Sequence, residues 1–329
     1  MWEPTANTIG RVINVDLLEA DQYGKRIRRL NGRDKGAVVS TVPRPREVRV
    51  GNETVGVYEY GDEAGRPVLA FHGVPACGAG FAWADDPARA RGLRLIAPDR
   101  PGVGLSTGRA VGFAVRDYPP MISALADTLG IGRFAAFGYS GGGPYAVACA
   151  MALPERVTHA AVAAGVGQVG AWATLADFAK TDRQYLEMAE RHPRRAGVML
   201  SIAGRAARLS PRQAMKSFAK ELSTRDRAIL EEGGPPSEQI AMFTQAFLRG
   251  AGGVVADYQA LAKSWGFDVG PTTVPVSVWH GDADTMVPLA HSRALVERIP
   301  AALMTVWHGD GHLGTISHIG EILDAIATG

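Results

Sequence analysis

A serine flanked by glycines has the clearest chemical meaning in this 329-residue sequence. The run Gly138-Tyr-Ser140-Gly-Gly142 has the pattern Gly-x-Ser-x-Gly, directly after an apolar stretch and directly before a helical one. A serine on a tight strand-to-helix turn has a strained backbone, and small neighbours keep the strand and the helix from colliding. The first turn of the helix also directs unpaired N–H groups at any anion that forms beside the serine. The pattern predicts a nucleophilic Ser140.

A serine is a weak nucleophile by itself, so a base and a carboxylate must accompany it. Two loops late in the chain offer candidates. Asp282 and Asp284 follow the penultimate predicted strand, and His312 follows the last one. Both loops lie at carboxyl ends of strands, where open α/β sheets bind ligands. The order serine, aspartate, histidine suits this arrangement.

The elements that position these loops alternate along the chain. Residues 48–51 and 55–60 alternate like the two strands of a hairpin, and short apolar runs follow at 68–72, 93–98, 134–138, 157–164, 274–280 and 303–308. Helical stretches are predicted at 118–129, 143–153 and 294–299. Short apolar strands separated by helices predict an α/β protein, with a mostly parallel twisted sheet of about eight strands and helices on both faces.

The chain divides into three predicted parts. Residues 1–45 form an N-terminal arm, 46–165 together with 274–329 form the catalytic domain, and 166–273 form an inserted helical cap. The inserted part has no strand pattern and is far longer than a crossover needs. Helices are predicted to begin at Ser210-Pro211 and at Pro235-Pro-Ser237, and another is predicted around 254–262.

Four further motifs accompany the serine turn. They are His72-Gly-Val-Pro75, Asp99-Arg-Pro-Gly-Val-Gly-Leu-Ser106, Gly281-Asp-Ala-Asp284 with Val287-Pro288, and Gly311-His312. With these five motifs in this order, residues 47 to 325 resemble the capped serine hydrolases of the α/β-hydrolase superfamily. The resemblance is specific for the fold and much less specific for the substrate.

The resemblance implies a role for each matching residue. Ser140 would be the nucleophile, His312 the general base and then the general acid, and Asp284 the carboxylate that orients the imidazole. In similar proteins the second acidic position before Val-Pro has this last role, which favours Asp284 over Asp282.

Two backbone N–H groups, those of Val74 and Gly141, would form the oxyanion hole. His72 would brace the loop after Phe71, and the segment from Asp99 to Ser106 would shape the pocket wall. His280 and His308 end strands, which favours packing or hydrogen-bonding roles for them.

The implied activity is hydrolysis of carboxylic esters through an acyl-enzyme, with a small-molecule substrate that carries a small or medium acyl group, and without a metal or cofactor. Hydrolysis of a C–C bond, a lactone or a thioester, cofactor-free perhydrolysis, and non-catalytic ligand binding remain alternatives. A peptidase would need a cap carboxylate facing a substrate amine. A serine at position 140 argues against the related haloalkane dehalogenases and epoxide hydrolases, which attack with an aspartate there.

Composition excludes other classes. The net charge of +2 and the 46% hydrophobic content indicate a soluble globular protein and give no reason to expect nucleic acid as a partner. Without an apolar run long enough for a bilayer or a signal-peptide pattern, we expect no membrane span and a cytoplasmic location. Cys77 and Cys149 match no metal or redox spacing, and the oligomeric state stays open.

The basic residues are mostly arginine, with lysine at only six positions. Several arginines cluster in the predicted cap, at positions 191, 194, 195, 205, 208 and 212. An acidic substrate is one explanation for this cluster, and a solvated face is the one we favour. The same cap offers apolar side chains, Met199 among them, as candidates for the pocket lining or the cap core.

Overall fold

The computed structural model describes residues 12–15, for which only the backbone is considered, and residues 45–108, 110–232 and 240–328. Its nine strands are β1 (Val12–Val15), β2 (Arg46–Val50), β3 (Glu53–Gly61), β4 (Arg66–Phe71), β5 (Leu93–Pro98), β6 (Phe134–Tyr139), β7 (Val157–Ala163), β8 (Val276–Gly281) and β9 (Leu303–Trp307). They form one sheet in the order β1-β9-β8-β7-β6-β4-β5-β3-β2.

The sheet is mostly parallel. Strands β2 and β3 form the predicted antiparallel hairpin, β3 also pairs antiparallel with β5, and every other pair is parallel. The run from Val68 to Phe71 in β4 is fully buried. Because successive side chains of a strand point to opposite faces, both faces of the sheet must be covered. The predicted α/β class and mostly parallel sheet are confirmed.

The ninth strand comes from the predicted arm. Strand β1 pairs parallel with β9, with Val12 opposite Met304 and Val15 opposite Trp307. The remainder of the predicted arm, up to residue 44, lies outside the described residues.

Twelve α-helices are described. They are α1 (Asp85–Arg89), α2 (Tyr118–Thr128), α3 (Gly143–Ala152), α4 (Lys180–Arg191), α5 (Pro193–Leu209), α6 (Pro211–Phe218), α7 (Thr224–Glu232), α8 (Ala241–Ala246), α9 (Gly252–Leu261), α10 (Leu289–Val296), α11 (Gly314–Ser317) and α12 (Ile319–Thr328). The predicted helices at 118–129 and 143–153 correspond closely to α2 and α3. The one predicted at 294–299 was wrong in its bounds, since α10 begins five residues earlier, after Pro288.

Residues 166–273, which we call the insert, connect β7 to β8 and contain helices α4 to α9. Helix α6 begins at Pro211 as predicted, although the Ser210 side chain makes no capping hydrogen bond. Helices α4 and α5 had no counterpart among the sequence predictions. The start that we predict for the next helix, at Pro235-Pro-Ser237, lies outside the described residues. No helix among the described residues is both long and apolar enough to cross a bilayer.

Candidate active site

Ser140 stands on the turn between β6 and α3. Its φ of 55° lies in the left-handed region, which a non-glycine residue rarely occupies. Two neighbouring glycines permit the turn. A Cβ at Gly138 would come within 2.5 Å of the Gly142 carbonyl oxygen, and a Cβ at Gly142 within 1.9 Å of that of Phe71. The glycines at these two positions therefore let strand and turn approach, as the pattern predicts.

The loop after β4 lies against this turn. A Cβ at Gly73 would be 3.3 Å from the Ser140 Cβ, and the backbone nitrogen of Val74 is 3.3 Å from the position that a Cβ would take at Gly141. Within the described residues no acceptor pairs with the Val74 N–H. The structure thus brings the two residues predicted for an oxyanion hole next to each other and beside Ser140.

Three predicted residues form a continuous hydrogen-bonded chain. His312 Nδ1 lies 2.8 Å from Asp284 Oδ2, and His312 Nε2 lies 3.0 Å from Ser140 Oγ. A carboxylate can only accept, so Nδ1 carries a hydrogen and Nε2 accepts from the serine hydroxyl. Asp282, the competing aspartate, lies elsewhere, on the outer surface, where it accepts from His308 and from the Gly309 N–H.

The Asp284 carboxylate has donors on both oxygens. Oδ1 accepts the N–H groups of Met286 at 2.8 Å and Val287 at 2.9 Å, while Oδ2 faces His312 and, at 3.2 Å, the Nε2 of His280. The same His280 nitrogen donates to the Val287 carbonyl, and its other ring nitrogen is hydrogen-bonded to Ser292. His280 is therefore a second histidine on the Asp284 carboxylate, a contact that its position at a strand end did not reveal.

These contacts determine the charge states of Asp284 and His312. Burial by itself favours the protonated acid, but His312 and His280 outweigh it and hold the pKa of Asp284 well below its usual range. Burial opposes the imidazolium of His312, yet Asp284, Asp226 and Asp182 together raise the pKa of His312 above its ordinary value. The carboxylates thus stabilise the imidazolium that proton abstraction from Ser140 would create.

Asp226 holds the backbone of the loop that carries His312. Its carboxylate, on α7 of the insert, accepts the N–H of His312 at 2.9 Å and that of Leu313 at 2.8 Å. The side chain is fully buried, and burial raises the pKa of Asp226. The neighbouring Arg225 binds Asp310 of the same loop at 3.2 Å. Sequence reasoning missed both residues, since nothing in the pattern of α7 marks it as a neighbour of this loop.

A second carboxylate of the insert lies near the histidine. Asp182 on α4 accepts a hydrogen bond from the Tyr258 hydroxyl at 3.1 Å. Burial raises the pKa of Asp182 to about 6, against the lowering effects of Tyr258 and His312. Tyr258 is one turn before Leu261, whose Cδ1 is 3.0 Å from the Cβ position at Gly141. Helix α9 therefore brings Leu261 to the serine turn, while Tyr258 of the same helix binds the Asp182 carboxylate, whose charge acts on His312.

A buried arginine ties the insert to the loop beneath it. Arg100 forms a two-pronged ion pair with Asp257 of α9, at 2.8 and 2.9 Å, and donates to the carbonyls of His72 and Gly73. His72 accepts the backbone N–H of Arg100 at 3.3 Å, and burial together with Arg100 lowers the pKa of His72. His72 thus contacts the loop that it was predicted to brace, while its link to Asp257 was not predicted.

Cys77 and Cys149 are both buried, free thiols. Burial raises the pKa of each thiol, which disfavours the reactive thiolate. Across the described residues, no group of three histidines, cysteines or carboxylates could hold a metal ion.

Comparison with known proteins agrees with this architecture. Over 116 residues the chain is 33% identical to haloalkane dehalogenase 2 of Mycobacterium tuberculosis, a stretch covering 34% of this chain and 40% of that protein. The chain therefore matches less than half the length of this curated relative.

Two solved structures resemble nearly the whole chain. An esterase from Exiguobacterium antarcticum has a TM-score of 0.65 at 18% identity, covering 87% of this chain and 100% of the esterase. A bromoperoxidase from Bacillus anthracis has a TM-score of 0.64 at 20% identity, covering 86% and 98%. At such identities the likeness concerns the fold.

The sequence profile described as alpha/beta hydrolase fold matches residues 66–318, well over half of the chain. The match includes the serine turn and the loops of Asp284 and His312, and it also includes the whole insert. The chain belongs to the alpha/beta hydrolase fold family.

Proposed function

We propose that this protein is a serine hydrolase that cleaves carboxylic esters. Ser140 is the nucleophile, His312 the general base and then the general acid, and Asp284 the carboxylate that orients the imidazole. The single observation that carries the proposal is the hydrogen-bonded chain from Asp284 through His312 to Ser140, which ends on a residue with a left-handed backbone.

The proposed reaction has two steps. In the first, His312 Nε2 takes the hydroxyl proton while Ser140 Oγ attacks the ester carbonyl, and the N–H groups of Val74 and Gly141 stabilise the oxyanion. The imidazolium then protonates the leaving alkoxide, and an acyl-serine remains. In the second step His312 takes a proton from water, the hydroxide attacks the acyl-serine, and the acid leaves as Ser140 regains its proton.

The serine also bears on the similarity to a haloalkane dehalogenase. Displacement of a halide by an aspartate leaves an alkyl ester, which water can cleave at its carbonyl. Displacement by Ser140 would leave an alkyl ether, which has no carbonyl to attack. The proposal therefore assigns this chain an acyl substrate, although its relative is named for a halide substrate.

Labelling with a fluorophosphonate tests the nucleophile. We expect the wild-type chain to become labelled and Ser140→Ala to remain unlabelled, with Asp282→Asn as a control that keeps full labelling. Labelling that persists in Ser140→Ala would refute the assignment, and no labelling of the folded wild-type chain would favour a non-catalytic binding protein.

A panel of p-nitrophenyl esters of increasing acyl length tests the bond type. We expect turnover of at least the short esters. If Ser140 is labelled but no ester is turned over, the alternatives of C–C bond, lactone or thioester hydrolysis and of perhydrolysis become the better proposals.

One observation favours a second candidate, the hydrolysis of substrates that carry an amino group. Asp182 supplies the insert carboxylate that such an activity requires, and Tyr258 orients it. Asp182→Asn tests this, since it should weaken kcat/KM for an amino-acid p-nitroanilide far more than for a neutral ester. Equal effects on both substrates would leave the neutral ester as the better proposal.

The role of the insert as a cap, the boundaries of the three parts and the cytoplasmic location also remain proposals. The cap role is supported by Leu261, which lies beside the serine turn, and by Asp182, whose charge acts on His312.

A further inference from the structure

The outward face of α5 carries three exposed apolar side chains. The helix buries a stripe of small and aliphatic side chains against the insert, namely Ala196, Leu200, Gly204 and Ala207. On the other face Val198, Ile202 and Leu209, which we call the α5 stripe, are 61, 62 and 86% exposed. At 3.6 residues per turn these three side chains lie within about 40° of one another, roughly opposite the buried stripe. An ordinary surface helix has polar residues at that place.

Arginines lie on both sides of the α5 stripe, in a segment that is rich in basic residues. Around the helix axis, Arg194 and Arg205 flank it on one side and Arg195 on the other. Residues 191–220 contain eight basic side chains and no aspartate or glutamate, namely Arg191, Arg194, Arg195, Arg205, Arg208, Arg212, Lys216 and Lys220. All eight are exposed, and among the described residues none has a carboxylate within ion-pair distance.

This charge distribution disfavours a second copy of the chain as the occupant of the stripe and favours another occupant. In a symmetric dimer built on this face, each copy would place its basic residues against the same residues of the other, which is repulsive. A surface with dense negative charge over an apolar interior complements both features at once. Phospholipid bilayers with anionic headgroups have that structure, and arginine can bury its aliphatic stem while its guanidinium stays at the phosphates.

We propose that the α5 stripe and the arginines beside it, Arg194, Arg195 and Arg205, form a docking surface for anionic phospholipid bilayers. Helix α5 lies parallel to the bilayer, with Val198, Ile202 and Leu209 in the boundary between headgroups and acyl chains. The arginines on either side bind lipid phosphates. This arrangement needs no membrane-spanning helix and accounts for the concentration of arginines in the insert.

Docking in this orientation would set the insert next to the lipid. Helix α5 packs on α4 and α9, the helices that bear Asp182 and Tyr258. The proposal does not depend on the bond that the active site cleaves, since it concerns a surface whose residues lie outside the triad and its supports.

Vesicle co-sedimentation tests the proposal with the full chain. We expect the protein to bind vesicles of phosphatidylcholine mixed with an equal amount of phosphatidylglycerol, and to bind pure phosphatidylcholine vesicles much more weakly. High salt should release it, because the arginine contribution is screened. Absence of binding to the anionic vesicles at low salt, or equal salt-insensitive binding to both kinds, would overturn the proposal.

Variants separate the two contributions. Arg194→Ser with Arg205→Ser should weaken partitioning about 25-fold, at about fivefold for each arginine near an anionic surface. Val198→Ser with Ile202→Ser should weaken it by about tenfold or more through lost apolar burial. The matched control is Arg49→Ser with Arg133→Ser, which removes the same charge from exposed positions outside the insert. If the control weakens binding as much as the first pair, net charge alone is responsible and the proposal fails.

Two further measurements keep the test decisive. Near-UV circular dichroism and turnover of a water-soluble substrate should be unchanged in all variants, because none of these residues contacts the site. In sedimentation velocity, we expect that the wild-type chain forms no dimer through this face. A dimer through this face would be one that the double substitution Val198→Ser with Ile202→Ser dissociates. Such a dimer would identify the α5 stripe as a contact between copies and would overturn the lipid proposal.

Discussion

Asp226→Asn is the most informative substitution for the idea that the insert positions the histidine loop. The carboxylate accepts two backbone N–H groups, at 2.9 Å from His312 and 2.8 Å from Leu313. An amide of the same shape can accept only one of them, and its NH2 group faces the other donor. Hydrogen bonds to a charged group contribute about 1.5–3 kcal/mol each, so we expect the variant to lose about that much unfolding free energy.

The effect on activity follows from the position of His312. If the loop relaxes by about 1 Å, kcat should fall about 100-fold, while KM changes little because Asp226 is not expected to contact substrate. The pH dependence should also change. The negative charge of Asp226 raises the pKa of His312, so its removal lowers that pKa, and the acidic limb of the kcat/KM profile moves to lower pH.

The assay is a pH–rate profile for the best ester of the panel, together with urea unfolding of the same preparations. Asp282→Asn is the matched control, because it makes the same change on an exposed aspartate of a neighbouring loop. Gly311→Ala offers an independent perturbation, since a Cβ there would lie 2.0 Å from Asp226 Oδ2. A stable Asp226→Asn variant with unchanged kcat and an unchanged acidic limb would refute the positioning role.

Three further predictions follow from the same contacts. Asp284→Asn should lower kcat by about 10⁴-fold because the imidazole loses its orienting carboxylate. Asp282→Asn should leave kcat within about twofold of the wild-type value. Steady-state kinetics checks both variants, and equal kcat values for the two would contradict the choice of Asp284. His280→Phe removes one donor from Asp284, so the carboxylate should stabilise the imidazolium of His312 more strongly. The pKa of His312 should therefore rise, and the acidic limb of the kcat/KM profile should move to higher pH. A purely structural role of His280 would leave the limb in place. Arg100→Met leaves the Asp257 carboxylate buried without a cation, which should cost about 3–5 kcal/mol of unfolding free energy in urea denaturation; a loss near zero would show that the ion pair does not hold α9 to the loop after β4.

Short-range patterns were enough to predict much of the fold. The hairpin of β2 and β3, the strands from β4 to β9, and helices α2 and α3 follow from apolar periodicity and from glycine and proline positions, which act within a few residues. The helix predicted at 294–299 failed because α10 begins directly after Pro288. Helices α4 and α5 were missed although their buried residues recur at helical spacing, as Leu186 and Ala189 do in α4.

The choice between Asp282 and Asp284 illustrates where such reasoning stops. Both aspartates lie in one loop, two residues apart, and only resemblance to other hydrolases favoured the second. In the structure Asp284 is buried and bonded to His312, while Asp282 accepts from His308 on the surface. This difference arises because the turn directs one side chain inward and the other outward. The amino-acid composition does not predict that orientation.

The sequence by itself determined the α/β class, the serine turn and the order of the candidate triad, because each depends on crowding or periodicity among residues close in the chain. Only the tertiary structure revealed Asp226 under the histidine loop, His280 on the Asp284 carboxylate, the Arg100–Asp257 pair and the outward apolar stripe of α5. The first three join residues between four and 157 positions apart. The last depends on which face of one helix its neighbours bury. The Asp226 and Arg100 contacts arise from packing between distant segments, and the His280 contact depends on the conformation of the loop after β8, so short sequence patterns do not predict them.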